Sequence, residues 1–237
     1  MKRFAATFLL VAVLLLTLSV LAPTAMAKGR GSVYPRVIPP WSTPHGASYA
    51  EWGARWWQWM FSLPVSESPM YDTTGANGGA GQSGSVWFLA GTFTGGDPSA
   101  HRTLTVPVGK ALFIPVINVE GSLADTPTAS TFSEVKQLVE DFMDTITVAD
   151  LTVDGHLLKI GPDTPYRTGL IESWYTLPEN NVLGLPPGTY SPVAYDGYYA
   201  MLAPLPAGKH VIKIHGQGVW IDGSTFDTQA TYDLTVK

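Results

Sequence analysis

The sequence predicts a mainly β protein of the α+β kind, a sandwich-like arrangement of strands carrying two packed helices at about residues 49–62 and 132–147. Three observations lead there. Glycine and proline are abundant, with 24 and 19 residues, while charged residues make up only 14% of the chain; that is the balance of strands and turns, not of a helical bundle or a disordered tail. Most apolar segments alternate with period two or form short runs closed by Gly, Pro, Asn or Asp, as strands do. Two segments repeat at helical spacing instead.

Residues 1–27 read as a secretory signal peptide. Lys2 and Arg3 precede an almost wholly apolar run from Phe4 to Leu21, and Ala25-Met26-Ala27 supplies a small-x-small cleavage site. The run is also long enough for an uncleaved signal anchor, which is the competing reading. No segment after it is expected to span a membrane. Cleavage removes two positive charges and no negative one, which takes the net charge from −5 to −7. The destination is secreted or extracytoplasmic, and periplasmic in an organism with an outer membrane. With no Lys/Arg cluster in the remaining 210 residues, nucleic acid is excluded as a partner, because a grip on phosphate needs a basic face. There is no cysteine, so packing or a bound ion must hold the fold.

Residues 28–47 form an extended, Gly- and Pro-rich lead-in. Trp41 at its end suits either a hydrophobic staple on the following helix or a ligand-stacking role. Residues 48–148 form a tryptophan helix with a β-hairpin region. Ser48 and Glu51 make a capping box, Pro64 closes the helix, and four of the eight tryptophans fall within Trp52 to Trp59. Tyr49, Trp52, Trp56, Trp59 and Met60 share one face, with Trp57 and Phe61 on its flank. The Gly/Ser/Asn-rich stretch from Ser62 to Ser85 is a long loop; Asp72, Thr74 and Asn77 offer oxygens there, but off the spacing of a calcium loop. Val86 to Thr94 reads as a strand, followed by a turn at Gly95 to Pro98. Arg102 to Val106 and Ala111 to Val119 are expected to form a central hairpin about the Pro107–Gly109 turn, with Pro115 marking a bulge or an edge. Thr131 and Glu134 cap the second helix.

Residues 149–237 read as a β meander packed with the preceding region as one unit, immunoglobulin-like or jelly-roll-like. The Asp154-Gly155 pair is suited to a type I′ hairpin.

E-W-x-x-x-W-W-Q-W at Glu51–Trp59, G-Q-S-G-x-V-W-F-L-A-G-T at Gly81–Thr92 and V-P-x-G-K-A-L-F-x-P-V-x-N at Val106–Asn118 resemble an uncharacterised family of bacterial signal-peptide-bearing proteins. V-D-G at Val153–Gly155, D-G-Y at Asp196–Tyr198 and P-L-P-x-G-K-H at Pro204–His210 are similar to its second half. The resemblance implies kinship and supplies no catalytic residue. Members of that family often carry cysteines near Gly79 and Leu104; this chain has none, so the resemblance implies no disulfide here.

No zinc-protease, α/β-hydrolase or P-loop pattern occurs. His210 and His215 lie an odd number apart in one strand and so on opposite faces; His45, His101 and His156 are isolated unless the fold gathers them around a metal. No metal site or cofactor is assigned. The reading these residues favour is binding of a polysaccharide or other cell-envelope ligand on aromatic faces, with Trp57, Trp41, Trp87, Trp174, Tyr198 and Tyr199 as candidates. A glycoside-type hydrolase using paired carboxylates drawn from Glu51, Asp72, Glu120, Glu172 and Asp196 is the alternative. An envelope protein that meets another chain is the second alternative, and the sequence leaves the oligomeric state open.

Overall fold

The computed structural model describes residues 34–92 and 100–237. The expected signal peptide, the lead-in before Tyr34 and the Gly95–Pro98 turn lie outside them. The first half of the chain runs β1 (Val37–Ile38), α1 (Tyr49–Phe61), β2 (Val86–Phe88), β3 (His101–Val106), β4 (Ala111–Gly121) and α2 (Phe132–Asp144). Six strands follow: β5 (Val148–Val153), β6 (His156–Lys159), β7 (Ile171–Leu177), β8 (Gly188–Leu202), β9 (Gly208–Val219) and β10 (Thr225–Val236). They form two sheets. In the first the order is β1-β8-β4-β2, with β7 also paired to β8; in the second it is β3-β10-β9-β5-β6.

Both helices begin where their sequences demand. The Ser48 hydroxyl accepts from the Glu51 amide while Glu51 Oε2 accepts from the Ser48 amide, and Thr131 and Glu134 repeat the arrangement in α2. Each capping pair satisfies donors that the first helical turn would otherwise leave open. The Asp154-Gly155 hairpin forms with both residues at positive φ, 49° and 82°, as its turn type requires.

The strand predicted at Val86 to Thr94 ends at Phe88 as far as the described residues follow it, to Thr92, and the central hairpin does not form. After Gly109, at φ 86°, the chain leaves one sheet for the other. β3 pairs in parallel with β10, from His101 opposite Thr231 to Val106 opposite Val236, whereas β4 lies between β8 and β2. The reason is burial. β3 alternates exposed and buried residues and can sit at an edge; the run from Ala111 to Ile117 is buried throughout, and a strand of that kind needs cover on both faces.

That cover comes from two layers. Leu112, Ile114 and Val116 of β4, with Ala200 and Leu202 of β8, pack toward Leu151, Ile212, Ile214, Tyr232 and Leu234 of the second sheet. Ala111 and Phe113, with Tyr195, Tyr199 and Met201, pack instead against α1. Trp57 and Phe61, on the flank of the helix, are buried too, because β7 and β8 reach around it: Trp57 stacks on Tyr195 at 5.9 Å and Phe61 meets Tyr175 at 4.6 Å. α2 packs Val135 and Val139 near Ala194, and sends Phe142 and Met143 into the core between the sheets.

The register of β4 against β8 shifts between Pro115 and Ile117. Pro115 cannot donate to the ladder, and the bulge turns two successive residues, Val116 and Ile117, toward the second sheet. Gly216 of β9 lets this bulge approach, since a Cβ there would stand 2.7 Å from Ile117 Cβ and 2.8 Å from the Val116 carbonyl oxygen. Gly216→Ala should therefore destabilise the protein by about 1–3 kcal/mol through overpacking, measured as a lower urea midpoint.

Tyr34 is tied to the second sheet by Asp154 and His210. Its hydroxyl donates to Asp154 Oδ2, the His210 Nδ1 lies 2.7 Å from that oxygen, and the Val211 amide donates to Asp154 Oδ1 at 2.7 Å. Burial pushes the Asp154 carboxyl up, but the hydrogen bonds from His210, Tyr34 and Val211 outweigh it and hold the group below its ordinary value. A depressed carboxyl contributes stability above its unfolded value of about 3.9 and loses it as pH falls through the folded value. Asp154→Asn is expected to melt lower than the parent near neutral pH, with the gap closing as pH falls through the depressed folded value.

Candidate functional site

The bulge in β4 also decides which side chains follow it. Phe113 faces α1, and a regular strand would place Pro115, Ile117 and Val119 on that side. The extra residue changes the parity, so Asn118 and Glu120 take that face instead. Asn118 Nδ2 donates to the hydroxyl of Tyr199, which is stacked on Phe113 at 5.2 Å. Beside them lies a cavity of about 300 Å³, walled by Trp56, Trp57, Met70, Trp220 and Phe226, with Glu120, Asp125, Thr92 and Thr228 as polar members.

The tryptophans of α1 differ in one respect that bears on this cavity. Trp52, Trp56 and Trp59 donate their indole N–H groups to the carbonyls of Pro44, Leu89 and Ala80 at 2.8, 2.8 and 2.9 Å. Trp57, only 4% exposed, makes no well-aligned hydrogen bond from its buried Nε1; the group is directed at the Tyr199 hydroxyl, whose pKa it lowers against the larger effect of burial. A buried donor without good geometry is uncommon and costs free energy.

Glu120 is the second anomaly. It is partly buried, with Oε2 sealed and unpartnered when the group is counted as a carboxylate. Burial, the charge of Asp125 and a hydrogen bond with Asp125 all push its pKa well above the ordinary carboxyl value. As an acid, Glu120 can donate to Asp125, and the two carboxyls then hold one proton between them. Asp125 is fixed in its turn: Oδ1 accepts from the Ser122 amide at 2.7 Å and Oδ2 from the Tyr175 hydroxyl at 2.9 Å. Burial first, and then the charge of Glu120, raise both Tyr175 and Tyr195, so these phenols stay protonated.

The far wall rests on the second sheet. Trp220 stacks on Phe142 of α2 at 4.1 Å and meets Phe226 edge-on at 5.4 Å. The segment Ala90–Thr92 is held by Arg102, a buried side chain that donates from Nη1 to the Ala90 and Gly91 carbonyls at 2.7 and 3.0 Å and to the Tyr232 hydroxyl at 2.6 Å. A second groove, of about 470 Å³, runs along α2 past Val135, Phe142 and Asp141; it shares Val119, Glu120, Thr126 and Trp220 with the first. Glu120 thus stands between two chambers.

Of the six aromatic candidates, Trp57 alone lines the first cavity, and as a buried wall, not a surface platform. Tyr198 and Tyr199 are buried in the two cores and present no free face. Trp87 is partly buried against the core between the sheets, while Trp41 and Trp174 are 78% and 49% exposed elsewhere on the surface. The acids scatter in the same way. Glu51 caps α1, Asp72 accepts from Thr74 and Asn77 amides within its own loop, Glu172 pairs with Lys136, and Asp196 is buried against Arg167. Only Glu120 reaches the cavity, and its partner Asp125 is a residue that sequence reasoning passed over. The trace was there, since Asn118 and Glu120 are alternate polar residues at the end of an apolar strand, with Asp125 just after the turn. His45 meets Ser85, His101 meets Asp233, and the His156 ring lies edge-on to Tyr34. Among the described residues no group of three or more His, Asp or Glu stands ready for a metal, and no helix is long and apolar enough to cross a membrane.

No family model matches the chain, and no curated protein matches it. A solved structure that does match, the solution structure of Amebosin, shares 13% identity, with 65% of this chain and 100% of that one covered, at a TM-score of 0.20. That likeness is too slight to carry fold or function across.

A carboxyl with a raised pKa loses stability as pH climbs from its unfolded value of about 4.3 toward the folded one, because the fold must then accept a buried charge. Glu120→Gln keeps a donor for Asp125 and cannot ionise. The variant should melt a few degrees higher than the parent near neutral pH and show a flatter pH profile above about pH 5, read by calorimetry.

Proposed function

We propose that this is a secreted binding protein that takes a carbohydrate, or a similar hydroxyl-bearing ligand of the cell envelope, in the Glu120 cavity. The observation that carries this reading is the make-up of the cavity: the rings of Trp56, Trp57, Trp220 and Phe226 line it, with Glu120, Asp125, Thr92 and Thr228 as polar groups beside them. Sugars are gripped by indole and phenyl faces with a few polar groups set beside them. About 300 Å³ lies at the lower end of ligand pockets, and the adjoining groove leaves room for a ligand to extend past Glu120.

The Glu120–Asp125 pair favours hydrolysis as a second reading, since a proton held between two carboxyls is a general acid. Its geometry argues for binding. Glycosidase carboxyls stand about 5–5.5 Å apart in retaining enzymes and about 6.5–9.5 Å in inverting ones, whereas these two are in hydrogen-bond contact. The third reading, an envelope protein that meets another chain, predicts an oligomer in solution.

The test is an array of polysaccharides and peptidoglycan incubated with the protein, scored for retention and for released fragments. Retention without release is expected, and Trp220→Ala, which takes away a half-exposed ring of the cavity wall, should weaken it about five- to tenfold. Trp56→Ala should instead cost about 3–5 kcal/mol of stability by opening a core cavity. Release that vanishes in Glu120→Gln would establish the hydrolase. Silence on the array with a dimeric mass would favour the interaction protein.

A further inference from the structure

We infer that the protein carries a second binding site, a groove on the polar side of α1 that takes a carboxylate-bearing sugar, a uronate, with its acid group on Arg55. The site stands apart from the Glu120 cavity and does not rest on the reading of that cavity. It is a groove of about 500 Å³ between α1 and the loop that leads into β2. Arg55, Gln58 and Ser62 line it from the helix, and Ser83 and Ser85 from the loop. Trp52, Trp59 and Phe88 supply its apolar surface.

Charge decides what kind of ligand fits. The lining holds one charged side chain, Arg55, and no acid, in a chain whose acids outnumber its Lys and Arg by 19 to 14. The exposed Arg55 guanidinium lies over the Trp52 ring, 4.7 Å from its centroid. Stacking of that kind fixes the plane of the group and leaves its edge of N–H donors open. Among the described residues those donors meet no acceptor. Glu51, one turn earlier on α1, is taken up by the cap, where it accepts from the Ser48 amide and hydroxyl at 2.7 and 2.9 Å. Two more basic groups border the loop: Lys110 donates to the Gly84 carbonyl, and His45 meets the Ser85 hydroxyl at 2.9 Å. A planar fork of donors matches a carboxylate through two parallel hydrogen bonds.

The loop wall is held in place before any ligand arrives, which spares the cost of ordering it. Gln82 is bound to Phe88 by both ends of its amide, Nε2 to the carbonyl at 2.9 Å and Oε1 to the backbone N–H at 3.0 Å. Trp59 donates to the Ala80 carbonyl, and Gly81, at φ 61°, lets the chain pass close by, since a Cβ there would stand 3.1 Å from Trp59 Nε1. The polar groups that remain suit hydroxyls more than a second charge. Ser62 gives its proton to the Trp59 carbonyl at 2.8 Å and keeps its lone pairs, and Gln58 reaches Ser173 only at 3.4 Å. One cation, several hydroxyl and amide groups and an apolar surface beside them describe a partner with one negative charge and many hydroxyls, which is a uronate. A phosphate monoester would bring a second charge that the lining does not meet.

The experiment is titration calorimetry of the whole protein with the α-1,4-linked galacturonate trisaccharide and with its methyl ester, which keeps the shape and loses the charge, followed by competition with acetate and with inorganic phosphate. The acid should bind at least about tenfold more tightly than the ester, with an affinity that falls as salt rises, and Arg55→Gln should bring the two together. Ser83→Asp, which adds a like charge to the same groove, should erase the preference as well, and it decides the matter if Arg55→Gln folds poorly. Equal binding of acid and ester, or a preference that survives both substitutions, would overturn the assignment. So would failure of both sugars to bind, which leaves the reading of the Glu120 cavity to its own test. Displacement by phosphate at a lower concentration than by acetate would overturn the uronate in favour of a phosphate ester.

Discussion

The structure depends on one constraint: the run Ala111–Ile117 of β4 and the run Val193–Leu202 of β8 are buried throughout and must be covered on both faces. Without a cysteine in the chain, that burial has no covalent help. One cover is the second sheet, which buries the even-numbered residues Leu112, Ile114 and Val116. The other is α1, whose rings bury Phe113, Tyr195 and Tyr199. Each apolar side chain fully buried in this way contributes about 1.5–3 kcal/mol. The tryptophan helix is therefore the third layer of a sandwich. The indole N–H groups of Trp52, Trp56 and Trp59 are tied to loop carbonyls as a by-product of that packing, since a buried donor calls for an acceptor.

Much of this was legible in the sequence because it is local. Ser48 with Glu51, Thr131 with Glu134, and Asp154 with Gly155 act within four residues, so their meaning survives without knowledge of the fold. The mainly β class and both helices follow from such signals and from apolar periodicity. What escaped depends on distant partners. The run from Arg102 to Val119 reads as a hairpin because a turn joins two strands, and nothing local reveals that β10 competes for β3. Trp57 lies off the main stripe of α1, and its burial follows only once β7 and β8 are known to wrap the helix.

The site was legible in part, for the same reason. Glu120 stood out as an acid at a strand end. Which acid would join it was decided by the turn after β4 and by the Tyr175 hydroxyl, fifty positions along the chain. The bulge at Pro115 decides the rest, because a shift of one residue reverses every side chain beyond it. A chain reading that stops at alternation assigns Asn118 and Glu120 to the wrong wall.

The parallel pairing of β3 with β10 bears on how the molecule comes into being. The two strands are separated by 130 positions, from His101 to Thr231, so β3 has no ladder to join until β10 is in place. Contacts of that sequence separation are slow to form, because the entropy of closing the intervening loop is lost before any pairing rewards it. The hairpin of β9 and β10, whose partners are adjacent, is the natural early structure. Arg102 enters its buried position only when β3 docks, and with it the Ala90–Thr92 wall of the cavity. Assembly of the cavity thus belongs to the last stage of folding, and a chain halted before it would hold most of its secondary structure with no formed pocket.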